Sequence, residues 1–131
     1  MRLESTKVSL DKSAQEVFNF LTNVENFEQL MPDNISKFKL IDADTFFFAL
    51  SGMPEIVLKK KSIKSPHTIV LGAAGGKLDF SLTAKIESVS ETKSEVQLTF
   101  EGDFNAMMAM MIKAPISKFI ETLALNIPNE I

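Results

Sequence analysis

The feature that most constrains this fold is a change in the spacing of apolar residues at Ser36. Between Ser13 and Leu30, apolar positions recur every three to four residues, which is typical of amphipathic helices. From Ser36 to Phe104 they alternate with polar residues, which is typical of antiparallel strands buried on one face. Helical spacing returns after Asn105. The order predicts short helices, then an antiparallel sheet, then one final helix.

Turn residues divide the alternating part into six predicted strands. These are Ser36–Ile41, Thr45–Leu50, Glu55–Ile63, His67–Ala73, Leu78–Val89 and Glu95–Phe104. An earlier strand, Leu3–Leu10, is expected to turn Thr6, Val8 and Leu10 to one side. In the last two strands one face should be buried. Its members are Phe80, Leu82, Ala84, Ile86, Ser88, Val96, Leu98, Phe100, Gly102 and Phe104.

Two short helices are predicted between the first strand and the sheet. Ser13 and Glu16 have the spacing of a capping box, in which each side chain bonds the backbone amide of the other. The helix that follows has one apolar face, and a second helix, 24–30, stops before Pro32. The apolar face of the first helix consists of Val17, Phe20, Leu21 and Val24.

The final helix has an N-cap residue, Asn105, and a long apolar stripe. Pro115 falls inside the stripe, where it removes a backbone hydrogen bond. Either one kinked helix runs over 106–126, or a turn precedes a helix with Pro115 in its first turn. The stripe stays in phase across Pro115, which favours the single helix. Its members are Met108, Ile112, Ile116, Phe119, Ile120, Leu123 and Ile127.

Composition limits the function classes. The net charge is -3, from 14 basic and 17 acidic residues, which gives no electrostatic footprint for nucleic acid. There is no cysteine, which excludes disulfides and thiolate metal sites. No apolar run reaches the roughly 18 residues of a membrane span, and residues 1–10 alternate instead of forming a signal peptide. We therefore expect one soluble cytoplasmic domain over 1–131, with no cofactor and no integral membrane segment.

Two segments resemble a known superfamily. Residues 8–23 (VSLDKSAQEVFNFLTN) resemble a strand followed by the pattern pxxVwxxLtD, and 27–32 (FEQLMP) resemble a second helix ending in lmP. Both are typical of the SRPBCC (START-like) superfamily, which includes polyketide cyclases, aromatic-ring hydroxylase subunits and birch-pollen-allergen-type carriers. The resemblance covers the whole chain and implies an α+β helix-grip fold, β-α-α-β6-α. In that fold, a curved seven-stranded antiparallel sheet packs on a long C-terminal helix.

The resemblance is nearest to small bacterial proteins of the polyketide-cyclase-like and ubiquinone-binding-like groups, and to a small protein associated with carbon monoxide dehydrogenase. It implies a hydrophobic cavity between sheet and helix. Eleven Phe and seven Met, with no Tyr or Trp, provide apolar surface without polar groups. We therefore expect binding or transport of a small hydrophobic or lipid-like ligand. The predicted lining is Phe20, Phe46, Phe48, Phe80, Leu82, Phe100, Met108, Ile112, Ile116 and Phe119.

The methionines at 107, 108, 110 and 111, together with Phe104, have two interpretations. They are ordinary core, or they form a deformable lid, because unbranched thioethers repack around guests of different shape. A protein-interaction module with a filled core, including a homodimer through a groove or sheet edge, is a third class of function.

Polar candidates for a cyclase or dehydratase are His67, the one histidine, and Lys60. The cluster Lys59–Lys61 with Lys64 either anchors an anionic head group or guards a solvated edge strand, and the edge strand is favoured. The segment 72–77 is glycine-rich but lacks the context of a phosphate loop, so a hairpin loop is expected. Spacing turns four carboxylates outward, and no catalytic constellation is recognisable. The four are Asp79, Glu87, Glu101 and Asp103.

Overall fold

The computed structural model describes residues 1–51, 55–74 and 79–131. A one-turn 3-10 helix, Val24–Asn26, lies between the first two helices. The strands are β1 (Arg2–Glu4), β2 (Val8–Leu10), β3 (Ile35–Asp42), β4 (Thr45–Leu50), β5 (Ile56–Lys64), β6 (Thr68–Ala73), β7 (Phe80–Ser90) and β8 (Lys93–Gly102). The helices are α1 (Ala14–Thr22), α2 (Phe27–Leu30) and α3 (Ala106–Glu130). The predicted order of elements is confirmed, while the turn expected at 52–54 lies outside the described residues.

All the strands belong to one antiparallel sheet, ordered β1-β8-β7-β6-β5-β4-β3, with β2 also paired to β8. β1 and β2 together take the place of the single strand expected over Leu3–Leu10. Leu3 lies opposite Phe100 and Val8 opposite Val96, so the register shifts by one residue between them. This bulge bends the first strand along the edge of the sheet.

The bulge reverses the facing of two residues. Ser5 is buried and Thr6 is exposed, the opposite of the prediction from strict alternation. The N–H of Ser5 donates to the carbonyl of Leu98, and its hydroxyl accepts from the N–H of Leu98 at 2.9 Å. Val8 and Leu10 are buried as expected.

The β7–β8 hairpin buries mainly one face, as the alternation predicted, but Ser88 of that face is exposed and Thr99 of the other face is buried. Leu82, Ala84 and Ile86 of β7 are buried, and they lie opposite Phe100, Leu98 and Val96 of β8. The helices cover this face, because α1 contacts β6, β7 and β8 while α3 contacts β1, β2 and β8. Sheet and helices therefore share one apolar core.

Local polar signals are also confirmed. The N–H of Glu16 donates to Ser13 Oγ at 3.1 Å, and the N–H of Ser13 donates to Glu16 Oε1 at 3.2 Å, which completes the capping box. The bond from the Ser13 N–H to the carboxylate is the main cause that holds the pKa of Glu16 below its ordinary value. In the β3–β4 turn, the N–H of Asp44 donates to Asp42 Oδ1, and this bond is the main cause of the lowered pKa of Asp42.

α3 is one continuous helix through Pro115, and it runs four residues past the predicted end. The alternative of a turn before Pro115 is therefore wrong. Asn105 caps the helix by accepting from the N–H of Met108 at 2.8 Å. Near the other end, Asn126 Nδ2 donates to the carbonyl of Leu30 at 2.9 Å, which ties α3 to α2. Within the described part of the chain, no helix is long and apolar enough to cross a bilayer.

Candidate functional site

The candidate site lies at the end of the sheet where β8 stops and α3 begins. Because neighbouring strands are antiparallel, β7 starts at Phe80 and β6 finishes at Ala73 at this same end. We call it the open end of the sheet. The first half of α3, residues 106–114, starts here and runs back along the sheet.

Three phenylalanine rings form a ladder on the inner face of the open end. The centroids of Phe80 and Phe100 lie 5.5 Å apart, and those of Phe100 and Phe104 lie 6.1 Å apart with nearly parallel planes. Phe104 reaches this position because Gly102 has no side chain. A Cβ on Gly102 would lie 2.5 Å from the Phe104 ring, closer than real Cβ contacts. The close approach of ring and backbone therefore requires glycine.

The side of α3 that faces the sheet is packed tightly in one half and loosely in the other. Met108, Ile112, Ile116 and Phe119 share this side by helical spacing. Ile116 and Phe119 are only 2% and 5% exposed, whereas Ile112 and Met108 are half-buried. Pro115 marks the boundary, and it lacks the N–H that would bond to the preceding turn. The sheet side of α3 is therefore less buried in its first half than in its second.

The ten predicted lining residues divide into two groups. Six are buried in the core, where Phe46 stacks on Phe48 and Phe48 stacks on Phe119. These six are Phe46, Phe48, Leu82, Phe100, Ile116 and Phe119. The other four are half-buried: Phe20 on α1, Phe80 at the start of β7, and Met108 and Ile112 on α3. Of these four, Phe20, Phe80 and Ile112 pack against the core.

Three of the four clustered methionines point to solvent. Met107, Met110 and Met111 are 75%, 82% and 69% exposed, while Met108 on the sheet side is half-buried. The interpretation of this cluster as ordinary core is wrong for the three exposed residues. Helical spacing predicted an inward Met108, but no local signal showed that the opposite side of the helix would also be apolar and exposed.

Lys60 points inward and is engaged in structural contacts. Its Nζ donates to the carbonyl of Thr22, the last residue of α1, at 3.0 Å, and lies 3.3 Å from Asp44 Oδ1. A cation at a helix C-terminus stabilises the partial negative charge there. The β5–β6 register shifts between Lys60 and Ser62, and this bulge interrupts the regular alternation of side chains between the two faces of the sheet. The predicted edge strand is wrong, because β5 lies between β4 and β6.

His67 lies at the opposite end of the sheet, in the turn before β6. Its side chain is exposed, its Nδ1 lies 3.3 Å from the carbonyl oxygen of Ile86, and its backbone N–H donates to the carbonyl of Lys64. It lines an open depression of about 440 Å³ with residues of β7, outside the space between sheet and α3. His67 therefore does not reach the open end.

Three carboxylates gather on the surface, which spacing along single strands did not predict. Asp79, Glu101 and Asp103 line an open depression of about 410 Å³ that also contains Met1 and Arg2. All three are exposed, and so is Glu87, as expected. The register of the β7–β8 hairpin, which pairs Phe80 with Gly102, is the signal that would have placed Asp79 beside Asp103. Among the described residues, no three metal-ligating side chains lie where they could together hold a metal ion.

The predicted glycine-rich loop is described only in part. Gly72 and Ala73 belong to β6, and residues 75–77 lie outside the described ranges. Gly72 is buried beneath the stem of Lys61, whose Cγ would lie 2.8 Å from a Cβ at this position. The close packing of Lys61 against the backbone of β6 thus explains why residue 72 is a glycine.

No protein-family model and no curated protein sequence matches the chain, but solved structures do. A START superfamily protein from Mycobacterium smegmatis matches with a TM-score of 0.72 at 13% identity, covering 98% of this chain and 94% of that one. The chain has a START-like helix-grip fold. Norcoclaurine synthase from Thalictrum flavum has this fold too and matches with a TM-score of 0.76 at 10% identity, covering 98% and 84%.

A conserved protein from Geobacillus kaustophilus also matches, with a TM-score of 0.60 at 15% identity, covering 98% of this chain and 96% of that one. At such identities the likeness is one of fold, and the chemistry has to be argued from this chain's own residues. The helix-grip arrangement predicted from the sequence is confirmed, namely a curved antiparallel sheet and a long C-terminal helix.

Proposed function

We propose that the chain binds a small apolar or lipid-like molecule between the open end of the sheet and the first half of α3. The observation that carries this proposal is the loss of burial along the sheet side of α3, from Phe119 and Ile116 to Ile112 and Met108. A guest beneath the first half of α3 would cover apolar side chains that the core leaves half-buried.

The residues at this position favour an apolar guest. Phe80, Phe104, Met108 and Ile112 offer rings, a thioether and an aliphatic chain, and none carries a hydrogen-bonding group that orients a polar ligand. Each buried methylene contributes about 0.8 kcal/mol, so a ten-carbon chain gains roughly 8 kcal/mol on transfer from water. Ordering the guest opposes this gain. We therefore expect a dissociation constant weaker than about 1 μM for such a chain.

The site also suits guests of different shapes. Met108 is unbranched and half-buried, so its thioether can take several rotamers against a guest without displacing the core. The six buried lining residues form the floor, because Phe46, Phe48 and Phe119 are already stacked on one another. We therefore expect the rings of the aromatic ladder, Phe80, Phe100 and Phe104, to limit how far a guest can enter.

Binding is favoured over a cyclase or dehydratase activity by the positions of the two polar candidates. His67 is exposed at the far end of the sheet, and Lys60 already bonds to Thr22 and pairs with Asp44. Neither side chain reaches the aromatic ladder. The structural likeness to norcoclaurine synthase is a likeness of fold and adds no catalytic group to this site.

Native mass spectrometry tests the proposal. Freshly purified protein is measured, extracted with organic solvent, and measured again after incubation with fatty acids and with a quinone. The wild type should carry a stoichiometric apolar adduct. In Met108→Gln an amide replaces a lining thioether, and the affinity should fall about 5- to 30-fold, because an unpaired amide is desolvated. The matched variant Met111→Gln changes an exposed methionine on the other side of α3 and should bind as the wild type does.

A bare mass for the wild type under every condition would contradict the proposal. Equal loss of binding in Met108→Gln and Met111→Gln would also contradict it, because the guest would then not lie on the sheet side of α3.

A further inference from the structure

The outer face of α3 is apolar where a helix packed on one side is expected to be polar. Met107, Met111 and Ala114 follow one another at spacings of four and three residues, so they share one face, with Met110 beside it. All four residues are exposed. Their side is opposite that of Ile116 and Phe119, so burial of the core gives no reason for their apolar character.

This face also differs in charge from the rest of the chain. Between Asp103 and Glu121 the only charged residues are Lys113 and Lys118, and both are exposed. The protein as a whole has a net charge of -3. Lys118 follows Ala114 on the outer face at a spacing of four residues, and Lys113 lies at its flank. Within 104–120 the exposed methionines are thus combined with two positive charges, and the nearest acidic residues along the chain are Asp103 and Glu121 at its two ends.

We propose that the outer face of α3 from Met107 to Lys118 docks on a lipid bilayer surface that contains anionic lipids. A helix lying in the interface inserts apolar side chains at the boundary of head groups and acyl chains, while basic residues stay at the head groups. The three exposed methionines supply the inserted part. The long stem of Lys118 lets its ammonium group reach phosphate while the helix lies flat.

Charge complementarity favours a bilayer over a second copy of this chain as the occupant. A two-fold dimer through this face would place the same apolar patch and the same lysines on both sides, and no acidic residue within 104–120 would pair with them. An anionic bilayer offers both an apolar layer and negative charge. The purpose of docking rests on the proposed function, since an apolar guest would pass between the bilayer and the open end of the sheet. Docking itself can be measured without any guest.

Sedimentation of the full chain with lipid vesicles tests the proposal. One set of vesicles contains phosphatidylcholine alone, and the other contains phosphatidylcholine mixed with phosphatidylserine. The wild type should sediment with the mixed vesicles and less with the neutral ones. The variant Met107→Gln/Met110→Gln/Met111→Gln should lose sedimentation with both. Lys113→Gln/Lys118→Gln should bind the mixed vesicles roughly twenty-fold more weakly, because each lysine near an anionic surface contributes about a five-fold gain.

Matched controls exist elsewhere on the surface. Ile63 and Val89 are exposed apolar residues on β5 and β7, and Lys59 and Lys64 are exposed lysines of β5. Ile63→Gln/Val89→Gln and Lys59→Gln/Lys64→Gln make the same chemical changes away from α3. Both should sediment as the wild type does. Circular dichroism confirms that each variant is folded, which is expected because every changed side chain is exposed.

Three outcomes would overturn the docking proposal: a wild type that stays in the supernatant with mixed vesicles, a triple methionine variant that sediments like the wild type, or a dimer that the triple variant converts to a monomer. Guest binding is measured separately, without vesicles, by native mass spectrometry. A wild type that sediments but carries no guest supports docking and contradicts only the proposed function. A triple variant that keeps its guest and loses the vesicles supports docking as well.

Discussion

The rings of Phe48 and Phe119 stack with their centroids 4.8 Å apart and their planes 16° apart, which joins β4 to the second half of α3. Both side chains are buried, and Phe48 also stacks on Phe46. This contact spans the sheet–helix interior and closes it beneath the second half of α3. For this reason the proposed guest site is limited to the first half of α3.

Phe119→Ala is expected to lower the free energy of unfolding by about 3–5 kcal/mol, because it removes a buried ring and leaves a cavity. Met111→Ala, on the exposed side of the same helix, should change it by less than about 0.5 kcal/mol. Urea denaturation followed by circular dichroism measures both. A loss below about 1 kcal/mol for Phe119→Ala would mean that α3 is not held on the sheet by this contact.

Glu121 of α3 hydrogen-bonds to Thr6, which lies in the bulge between β1 and β2. Its two carboxylate oxygens accept from the N–H and from the hydroxyl of Thr6, each at 2.7 Å, and these bonds lower the pKa of Glu121. Glu121→Gln should lower the free energy of unfolding at neutral pH by about 1 kcal/mol, the lower end for a charge-assisted bond at the surface.

The contribution of Glu121 should depend on pH with a defined sign. Its pKa is lower in the folded chain than in the unfolded chain, so the contribution is complete above the ordinary carboxyl pKa and is lost as the pH falls through the lowered value. The difference in unfolding free energy between wild type and Glu121→Gln should therefore shrink below about pH 4. Urea titrations between pH 7 and pH 3 measure it, and a difference that grows on acidification would contradict the assigned bonds.

Lys60→Met is expected to destabilise the fold by about 1–2 kcal/mol, since it leaves the last carbonyl of α1 without its charged donor and Asp44 without its partner. Lys59→Met changes the exposed neighbour on β5 and should be nearly neutral. Thermal unfolding compares the two. Equal melting temperatures would show that Lys60 does not hold α1 to the sheet.

Gly102→Ala should displace the ring of Phe104, because the new Cβ would lie 2.5 Å from it. We expect a loss of about 1–3 kcal/mol, as for other insertions into packed sites. In the background Phe104→Leu the ring is absent and the same substitution should be less destabilising. The coupling energy from this double-mutant cycle reports the contact directly, and additive effects would argue against it.

The sequence predicted the fold well where the determinants are local. The bounds of Thr45–Leu50 agree with β4, because turn residues flank an uninterrupted β-branched and aromatic run. The capping box at Ser13 and the cap at Asn105 are likewise local patterns. The facing of Ser5 and Thr6 was wrong because the bulge between β1 and β2 depends on pairing with β8, far along the chain.

The site was only partly predictable, for the same reason. Helical spacing placed Met108 on the sheet side of α3, but the degree of burial depends on how the distant strands curve beneath it. Lys60 was identified as a polar candidate, yet its partner Thr22 lies 38 residues away and no pattern in the sequence indicates their contact. The hydrogen bonds between Glu121 and Thr6 join residues 115 positions apart, and no pattern in the sequence predicts them.

We propose that an apolar guest lies between the aromatic ladder and the first half of α3. Photo-crosslinking with a diazirine-bearing fatty acid, followed by peptide mapping, locates such a guest. We expect crosslinks within residues 104–112 and at Phe80, and their loss when unlabelled fatty acid competes. Crosslinks confined to the depression around His67, or spread evenly over the surface and unaffected by competitor, would contradict it.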